Sequence, residues 1–246
     1  MTTIGERLRL IKKRIHEAAE RAGRNPEDIT IVAVSKNVDE EGIAEAVRAG
    51  VSVLGENRVQ EAAAKFSNLG NTIDGKEINW HLVGHLQRNK VRHALPIFQL
   101  IHSLDSWKLA QEIQKVAERL DVTADCLLEI NVTGKASRIG VEPENALALA
   151  RDISALDRIR LRGVMSIAPI VDDPSEARPY FRLTREMWER MGDAGLFYPG
   201  KAHLSMGMTH DFEIAVEEGA TMVRIGTGIF GPREILARDR KAVLEA

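Results

Sequence analysis

The chain has 246 residues, of which 44% are hydrophobic and 28% charged, and its net charge is −2 at pH 7. This length suits one large domain, predicted over residues 1–246. The near-neutral charge gives no basis for a nucleic-acid partner, and no apolar run approaches the roughly 20 residues of a membrane helix. The single cysteine, Cys126, excludes an internal disulfide and favours a cytoplasmic location.

The first predicted element is an amphipathic helix over residues 3–22. Apolar residues recur there at helical spacing, and Thr3 and Glu6 form the pattern of a capping box. Gly23 and Pro26 are expected to end the helix.

Beyond this helix, short apolar runs alternate with amphipathic segments eight times. Strands that alternate with helices indicate βαβ units and a parallel sheet, and eight units in a chain of this size suit a TIM barrel. We therefore predict an α/β fold, a single (β/α)8 TIM barrel with an extra N-terminal helix. The alternative is a doubly wound open sheet, although no GxGxxG follows the first run. The runs span residues 29–36, 51–57, 78–84, 97–105, 124–132, 160–168, 201–207 and 222–230.

Local signals mark the ends of several helices. Asp39, Ser106 and Thr209 are predicted to cap helix N-termini, and Gly50 and Gly219 to follow helix C-termini. Two segments rich in Gly, Asn, Asp and Pro, 70–76 and 171–179, are predicted loops, and the C-terminal segment 238–246 is predicted to be an exposed helical end.

Chemistry in a TIM barrel sits at the carboxyl ends of the strands. Ser205-Met206-Gly207 ends the seventh run, and Gly226-Thr227-Gly228 ends the eighth. Glycines let backbone N–H groups approach a ligand, and a following helix N-terminus favours an anion. The two segments therefore predict a phosphate site, the simpler alternative being that the glycines only form tight turns.

Two basic residues stand out against their apolar surroundings. Lys36 ends the first strand, where it is either a solvated strand end or a reactive amine. Arg224 lies within the eighth strand, in phase with Met222 and Gly226, and a charge there needs a partner. That partner is either an ion pair on a neighbouring strand or a ligand atom in the barrel mouth.

An amine, a phosphate site and an arginine at one mouth are the groups that pyridoxal 5′-phosphate (PLP) requires. Its aldehyde bonds to a lysine, its phosphate to amides and hydroxyls, and its ring nitrogen to an Asp or Arg. The residues thus predict PLP as the cofactor, with Lys36 as its anchor.

Several longer motifs carry a resemblance to a known family over nearly the whole chain. They are "AVSKN", "LGENRVQEAAAKF", "WHLVGHLQRNK", "LLEINVTGKASRIGV", "LRGVMSIA" and "LSMGMTHDFEIAVEEGATMVRIGTGIFG". In these motifs the chain resembles the YggS/PROSC family of pyridoxal phosphate homeostasis proteins. The resemblance implies a barrel like the N-terminal domain of alanine racemase.

The resemblance also implies roles for individual residues. Lys36 would bear PLP as a Schiff base, and Arg224 would face the pyridine nitrogen. Asn57 and His81 would lie near the ring. Ser205, Gly207, Gly226 and Thr227 would hold the phosphate, and Ser166 and Met206 complete the predicted site.

Members of that family bind PLP without established turnover, and the resemblance implies a protein that buffers the cofactor or delivers it to apo PLP-dependent enzymes and influences amino-acid and keto-acid pools. We expect a monomer, since the sequence shows no exposed apolar seam. This chain departs from the common family pattern at Val38, Arg58, His85 and Arg138. Two of these positions, Val38 and Arg138, are lysine in many members, so a transfer role for those lysines does not carry over.

Two further arguments weigh a carrier against an enzyme. An arginine keeps its proton at neutral pH, so the pyridine nitrogen that it faces stays unprotonated and the ring is a weaker electron sink. The chain ends about 16 residues after the eighth run, and no second domain is expected to supply the other acid–base group of a racemase. We therefore predict a non-catalytic carrier, with a PLP-dependent amino-acid racemase of modest activity as the alternative.

A metal-dependent hydrolase is a third hypothesis, because several histidines lie near strand ends. Metal sites need converging ligands, and the chain has no HExxH motif and no HxH after the first strand. We predict no metal. The histidines concerned are His81, His85, His102, His203 and His210.

Overall fold

The computed structural model describes residues 2–232, which form a closed barrel of eight parallel strands. Each predicted run holds one strand, and no strand extends more than one residue beyond its run. The predicted TIM barrel is therefore confirmed, and the open sheet is excluded. The strands are β1 (Thr30–Val34), β2 (Val53–Glu56), β3 (Asn79–Leu82), β4 (Leu100–Leu104), β5 (Ala124–Ile130), β6 (Ile159–Ser166), β7 (His203–Met208) and β8 (Met222–Ile225).

The first and last strands close the barrel against each other. Thr30 pairs with Met222, and Val32 pairs with Arg224, in parallel register. On its other edge β1 pairs with β2, through Ala33 and Leu54. The remaining strands follow in chain order around the ring.

Helices surround the strands and connect them as the alternating pattern predicts. The α-helices are α1 (Ile4–Arg21), α2 (Glu40–Arg48), α3 (Val59–Leu69), α4 (Val91–Ala94), α5 (Trp107–Leu120), α6 (Pro143–Ser154), α7 (Arg178–Asp193), α8 (Phe212–Glu217) and α9 (Thr227–Phe230). None of the helices within residues 2–232 is both long enough and apolar enough to cross a bilayer.

The predicted N-terminal helix and its capping box are confirmed. The Thr3 hydroxyl accepts a hydrogen bond from the Glu6 amide, and the Glu6 carboxylate accepts one from the Thr3 amide. The buried face of α1 packs against α2, α8 and α9. Arg14 of α1 also pairs with Glu213 of α8 at 2.8 Å. The helix therefore joins the elements that follow the first and the last strands of the barrel.

Two separate apolar clusters explain why the sequence closes into this barrel. One lies between the strands and the helices. The other is small and fills the barrel interior, because side chains of alternate residues along each strand point inward. Its buried members are Val32, Val53, Val83, Leu100, Leu127, Met165 and Met222. Toward the carboxyl ends of the strands this apolar filling gives way to polar side chains.

The predicted helix caps are confirmed except at Thr209. Asp39 and Ser106 cap α2 and α5 through their side chains. The helix expected near Thr209 begins at Phe212 instead. Its predicted cap is wrong because the Thr209 hydroxyl accepts hydrogen bonds from the amides of the loop after β8.

Segment 70–76, predicted as a loop, contributes to a small antiparallel hairpin. Thr72–Ile73 pairs with Lys76–Glu77. The turn between them uses Asp74 and Gly75, which both have positive φ angles, of 50° and 73°. The other predicted loop contains a short 3₁₀ helix, Pro174–Ala177. The predicted helical end at 238–246 lies outside the described residues, and the single-domain extent stays a prediction.

Candidate functional site

Lys36 stands where the inward-facing row of β1 reaches the barrel mouth. Val32 and Val34 pack in the interior cluster, and Lys36 is the next residue in the same phase. It is partly buried. The residue before it, Ser35, is fully buried, and its amide donates to the Gly55 carbonyl of β2 at 2.9 Å. The strand thus directs this lysine from a fixed point toward the mouth.

Arg224 is buried inside the barrel and bonded to neutral groups. One Nη donates to the Ser205 hydroxyl at 2.7 Å, and the other donates to the Ser166 carbonyl at 2.8 Å. Within residues 2–232 it has no ion-pair partner and its Nε makes no hydrogen bond, so a structural ion pair does not explain its burial. Burial lowers the pKa of Arg224 to about 10, and Glu129 and Asp211 act against that shift. The guanidinium therefore stays charged at neutral pH, with its Nε edge available to a ligand.

A chain of hydrogen bonds continues from Arg224 across the barrel. The Ser205 hydroxyl contacts Nδ1 of His102 at 3.0 Å, and Nε2 of His102 contacts Nδ1 of His81 at 3.0 Å. Because the Ser205 oxygen accepts from Arg224, its own proton is free to be donated to His102. His102 then donates from Nε2 to Nδ1 of His81, and the proton of His81 lies on its Nε2 atom. We infer these tautomers from the donor pattern.

Both histidines in this series of hydrogen bonds, His81 and His102, are neutral in the folded protein at neutral pH. Burial, with His203 nearby, lowers the pKa of His81 to about 3. Burial lowers the pKa of His102 well below 6.5, and His81, Arg224 and His203 act in the same direction. Glu129 on β5 shows the opposite shift. Burial and the charge of Asp105 raise its pKa to about 7, although Arg224 acts to lower it.

These shifts predict a definite dependence of stability on pH. The unfolded state gains a proton at each histidine below pH 6.5, whereas the folded state keeps an extra proton on Glu129 between pH 4.5 and 7. On unfolding, the two histidines bind one proton each and Glu129 releases one, so the net uptake is one proton. From these groups, the free energy of unfolding should fall by up to about 1.4 kcal/mol per pH unit as pH drops from 6.5 to 4.5.

Two variants separate the contributions, measured by urea unfolding at several pH values in that window. Glu129→Gln removes the opposing group, so the loss of stability with falling pH should steepen by up to about 1.4 kcal/mol per unit. His81→Gln should flatten it by the same amount. Equal slopes in all three proteins would contradict the assignment of these protons.

Asn57 brings an unused acceptor to the same mouth. It follows β2 in the inward phase, and its side-chain Oδ1 is buried with no hydrogen-bond partner. A buried polar atom of this kind normally has a partner, so this acceptor is a candidate to bind a ligand group. Gly84 lies against its backbone: a Cβ added there would come within 2.3 Å of the Asn57 carbonyl oxygen.

The loop after β8 presents two backbone amides to a single oxygen. The N–H groups of Gly226 and Gly228 both donate to the Thr209 hydroxyl, at 3.3 and 3.4 Å. Converging amides form an anion-binding concavity, and a hydroxyl oxygen is an acceptor like that of a phosphate. Gly207 on β7, two residues before Thr209 in the sequence, is buried and has a φ of 87°. Thr227 is exposed beside the amides.

Three of the predicted site residues direct no side-chain group toward the loops after β7 and β8, where the phosphate is expected. The Ser205 hydroxyl is directed at Arg224 and His102 inside the barrel. Ser166 offers its carbonyl to Arg224, while its hydroxyl bonds to Thr184 of α7 at 2.7 Å. The Met206 side chain is fully buried in the outer cluster, between strands and helices. The last two therefore contribute backbone and packing rather than side-chain functional groups.

Glu129 is a candidate site residue that the sequence prediction does not include. It is buried and alternates with Leu127 and Asn131 in the inward row of β5. The signal was present in "CLLEIN", where a carboxylate interrupts an apolar strand in the inward phase. Beside it lies a cavity of about 180 Å³ at the ends of β5 and β6. That cavity is lined in part by Glu129, Asn131, Arg138 and Ile167.

The histidines do not gather as metal ligands would. His81 and His102 bond to each other, and His85 contacts Asp105 at 3.3 Å. In the part of the chain that the structure describes, no three His, Cys, Asp or Glu side chains converge as a metal ion would require.

Comparison with known proteins places this barrel in a family. The family model described as "Alanine racemase, N-terminal domain" matches residues 7–234. The pyridoxal phosphate homeostasis protein of Aquifex aeolicus is 43% identical over 229 residues, which cover 93% of this chain and 98% of that protein. This chain belongs to the pyridoxal phosphate homeostasis protein family.

Other members and solved structures agree with this assignment. The Escherichia coli K12 pyridoxal phosphate homeostasis protein is 38% identical over 240 residues, covering 95% of this chain and 98% of the relative. PipY of Synechococcus elongatus, solved with PLP bound, is 36% identical with a TM-score of 0.78 and covers 93% of this chain and 100% of PipY. An alanine racemase of Clostridium difficile, at 19% identity and a TM-score of 0.69 over 93% of this chain and 62% of the racemase, shares the fold.

Proposed function

We propose that this protein binds PLP at the carboxyl-terminal mouth of its barrel, with Lys36 as the covalent anchor, and serves PLP homeostasis. The observation that carries the proposal is that an acceptor without a partner and two converging amides both lie at the carboxyl-terminal ends of the strands. The Asn57 Oδ1 is buried without a partner, and two amides converge on the Thr209 hydroxyl. A family member, PipY, was solved with PLP bound.

The residues present fit the cofactor group by group. When bound, PLP supplies an aldehyde that bonds to an amine and a ring that withdraws electrons from it. Lys36 would provide the amine. The amides of Gly226 and Gly228, with Gly207 and Thr227 beside them, would hold the phosphate in place of the Thr209 hydroxyl.

The interior residues would hold the ring. Arg224 would face the pyridine nitrogen through its Nε edge, because both Nη atoms are occupied by Ser205 and Ser166. The proposed role of Ser205 is thus to orient Arg224 rather than to bind phosphate. His81, at the end of the hydrogen-bond chain, and Asn57 would lie against the ring and its substituents.

A carrier fits this arrangement better than an efficient enzyme. Arg224 keeps its proton at neutral pH and cannot protonate the pyridine nitrogen, which limits the ring as an electron sink. The proposed role is to buffer PLP and deliver it to apo PLP-dependent enzymes. We propose further that the protein acts as a monomer in the cytoplasm.

One observation favours the second candidate function, an amino-acid racemase of modest activity. The Glu129 carboxyl faces the barrel interior with a pKa of about 7, a value suited to moving protons at neutral pH.

The family departures have identifiable surroundings. Val38 packs against the outer cluster, and His85 pairs with Asp105. Arg138 lines the cavity beside Glu129. Arg58 is exposed just before α3. We assign none of them a transfer role.

The proposal is tested by three measurements on the purified protein: uptake of PLP, transfer of PLP to an apo-enzyme, and turnover of amino acids. We expect visible absorbance from bound PLP, transfer to an added apo PLP-dependent enzyme, and no appreciable racemisation or transamination of amino acids. A colourless protein that takes up no added PLP would contradict binding. Rapid turnover that disappears in Lys36→Ala would replace the carrier with the racemase.

A further inference from the structure

A buried ionic cluster lies directly behind the segment that carries Lys36. Lys65 of α3 is buried, and its Nζ donates three hydrogen bonds: to the Ser35 carbonyl at 2.6 Å, to Glu56 Oε1 at 2.7 Å and to Glu61 Oε1 at 2.8 Å. An ammonium group has three protons, so these three acceptors satisfy it completely. One helix side chain thereby joins the ends of β1 and β2.

The same two carboxylates hold both neighbours of Lys36 in the chain. The Ser35 hydroxyl donates to Glu56 Oε1 at 2.7 Å, and the Asn37 amide donates to Glu61 Oε1 at 2.6 Å. Asn37 has a left-handed φ of 57°, which turns the chain immediately after Lys36. The cluster therefore fixes the backbone on either side of the lysine, through charged hydrogen bonds that are stronger than neutral ones.

The cluster is poorly suited to a purely stabilising role. Removing charges from water offsets much of their mutual attraction, and a buried ion pair is often replaceable by apolar groups without loss of stability. Burial raises the pKa of Glu56, although Lys65 acts to lower it, and the Oε2 atom of Glu56 is buried without a partner. Glu56 and Glu61 thus share the one ammonium group of Lys65. Apolar side chains at these positions would suffice to pack α3 against the strands.

We propose that Lys65 is a positioning residue for Lys36. It holds the Ser35–Asn37 turn so that the Lys36 side chain leaves β1 toward the barrel mouth. The inference rests on the proposed function, because it concerns how the anchor lysine meets PLP. Lys65 itself does not touch the cofactor in this proposal.

The test compares two lysine variants that each remove donors to backbone carbonyls. Lys65→Met is expected to weaken PLP binding at least about tenfold and to slow borohydride-trapped labelling of Lys36, the scale of one lost charged hydrogen bond. Lys76→Met is the matched control, because Nζ of Lys76 donates to the carbonyls of Val47 and Arg48, at 3.1 Å each, behind α2. The control should label Lys36 at the wild-type rate.

A milder variant covers the case in which Lys65→Met does not fold. Glu61→Gln keeps the side-chain size and the contact of Lys65 with Glu56 but weakens the acceptor of the Asn37 amide. We expect its labelling rate to lie between those of wild type and Lys65→Met, or below wild type if that variant is insoluble.

The outcomes separate this inference from the proposed function. If the wild-type protein binds PLP and both cluster variants bind and label as it does, the positioning role is overturned while the function stands. If the wild-type protein takes up no PLP, the proposed function fails first. Equal losses in Lys76→Met and Lys65→Met would assign the effect to general destabilisation and overturn the inference as well.

Discussion

Lys36→Ala is expected to abolish the borohydride-stable phosphopyridoxyl adduct and to leave the protein colourless once free and weakly bound PLP have been removed. The amine at the end of the inward row of β1 is the proposed covalent anchor, and alanine offers no group to replace it. Non-covalent binding through the phosphate loops should persist only weakly, at least about a hundredfold below wild type, which corresponds to about 2.8 kcal/mol. Absorbance titration and peptide mapping after reduction measure both effects.

The stability of this variant provides the internal control. Lys36 is only partly buried, so its truncation should change the free energy of unfolding by no more than about 1 kcal/mol. Lys76→Ala, which removes a lysine away from the mouth, should retain the adduct on Lys36. An adduct of wild-type yield in Lys36→Ala, mapped to another lysine, would show that the anchor is misassigned.

Gly207→Ala is expected to destabilise the protein by about 3–5 kcal/mol and to weaken PLP binding at the same time. Gly207 has a φ of 87°, which a residue with a Cβ adopts only under strain. The added Cβ would also come within 2.5 Å of the Ala215 Cβ and 3.0 Å of the Phe212 Cα. Relief requires moving α8, and with it the turn that places Thr209 against the Gly226 amide.

A second glycine separates the backbone strain from the steric overlap. Gly195 has a φ of 67°, and a Cβ added there would meet nothing within 4 Å. Gly195→Ala should therefore cost only about 1 kcal/mol and leave PLP binding unchanged. Urea unfolding and absorbance titration of both variants test the difference. Similar losses in the two variants would rule out the clash with α8 as the dominant effect.

The barrel was predictable because its signals are local and repeated. Each strand is an apolar run, and caps such as Asp39 and Ser106 act within three residues of their own position. Gly50 and Gly219 follow α2 and α8 with positive φ angles, as the sequence predicts. The Asp74-Gly75 turn carries an equally local signal, since this dipeptide favours a two-residue hairpin, and the loop prediction for 70–76 does not use it.

The interior of the site was less predictable because its contacts join distant parts of the chain. His102 and Ser205 are 103 residues apart in sequence, and no pattern in either strand indicates that they touch. Thr209 has the sequence pattern of a helix cap. Its hydroxyl instead accepts hydrogen bonds from two amides after β8, which lie 17 and 19 residues later in the chain. Lys65 looked like an ordinary helix lysine, although it falls on the buried face of α3 with Val59 and Ala62.

The pairing of β1 with β8 places the proposed cofactor across the seam of the barrel. Lys36 extends the first strand and the phosphate loop extends the last, so bound PLP would tie together two ends of the chain that are about 190 residues apart. Bringing such distant segments together costs loop-closure entropy. A ligand held by both edges shifts the equilibrium toward the closed ring. Bound PLP would therefore add to the stability of the β1–β8 pairing that closes the barrel.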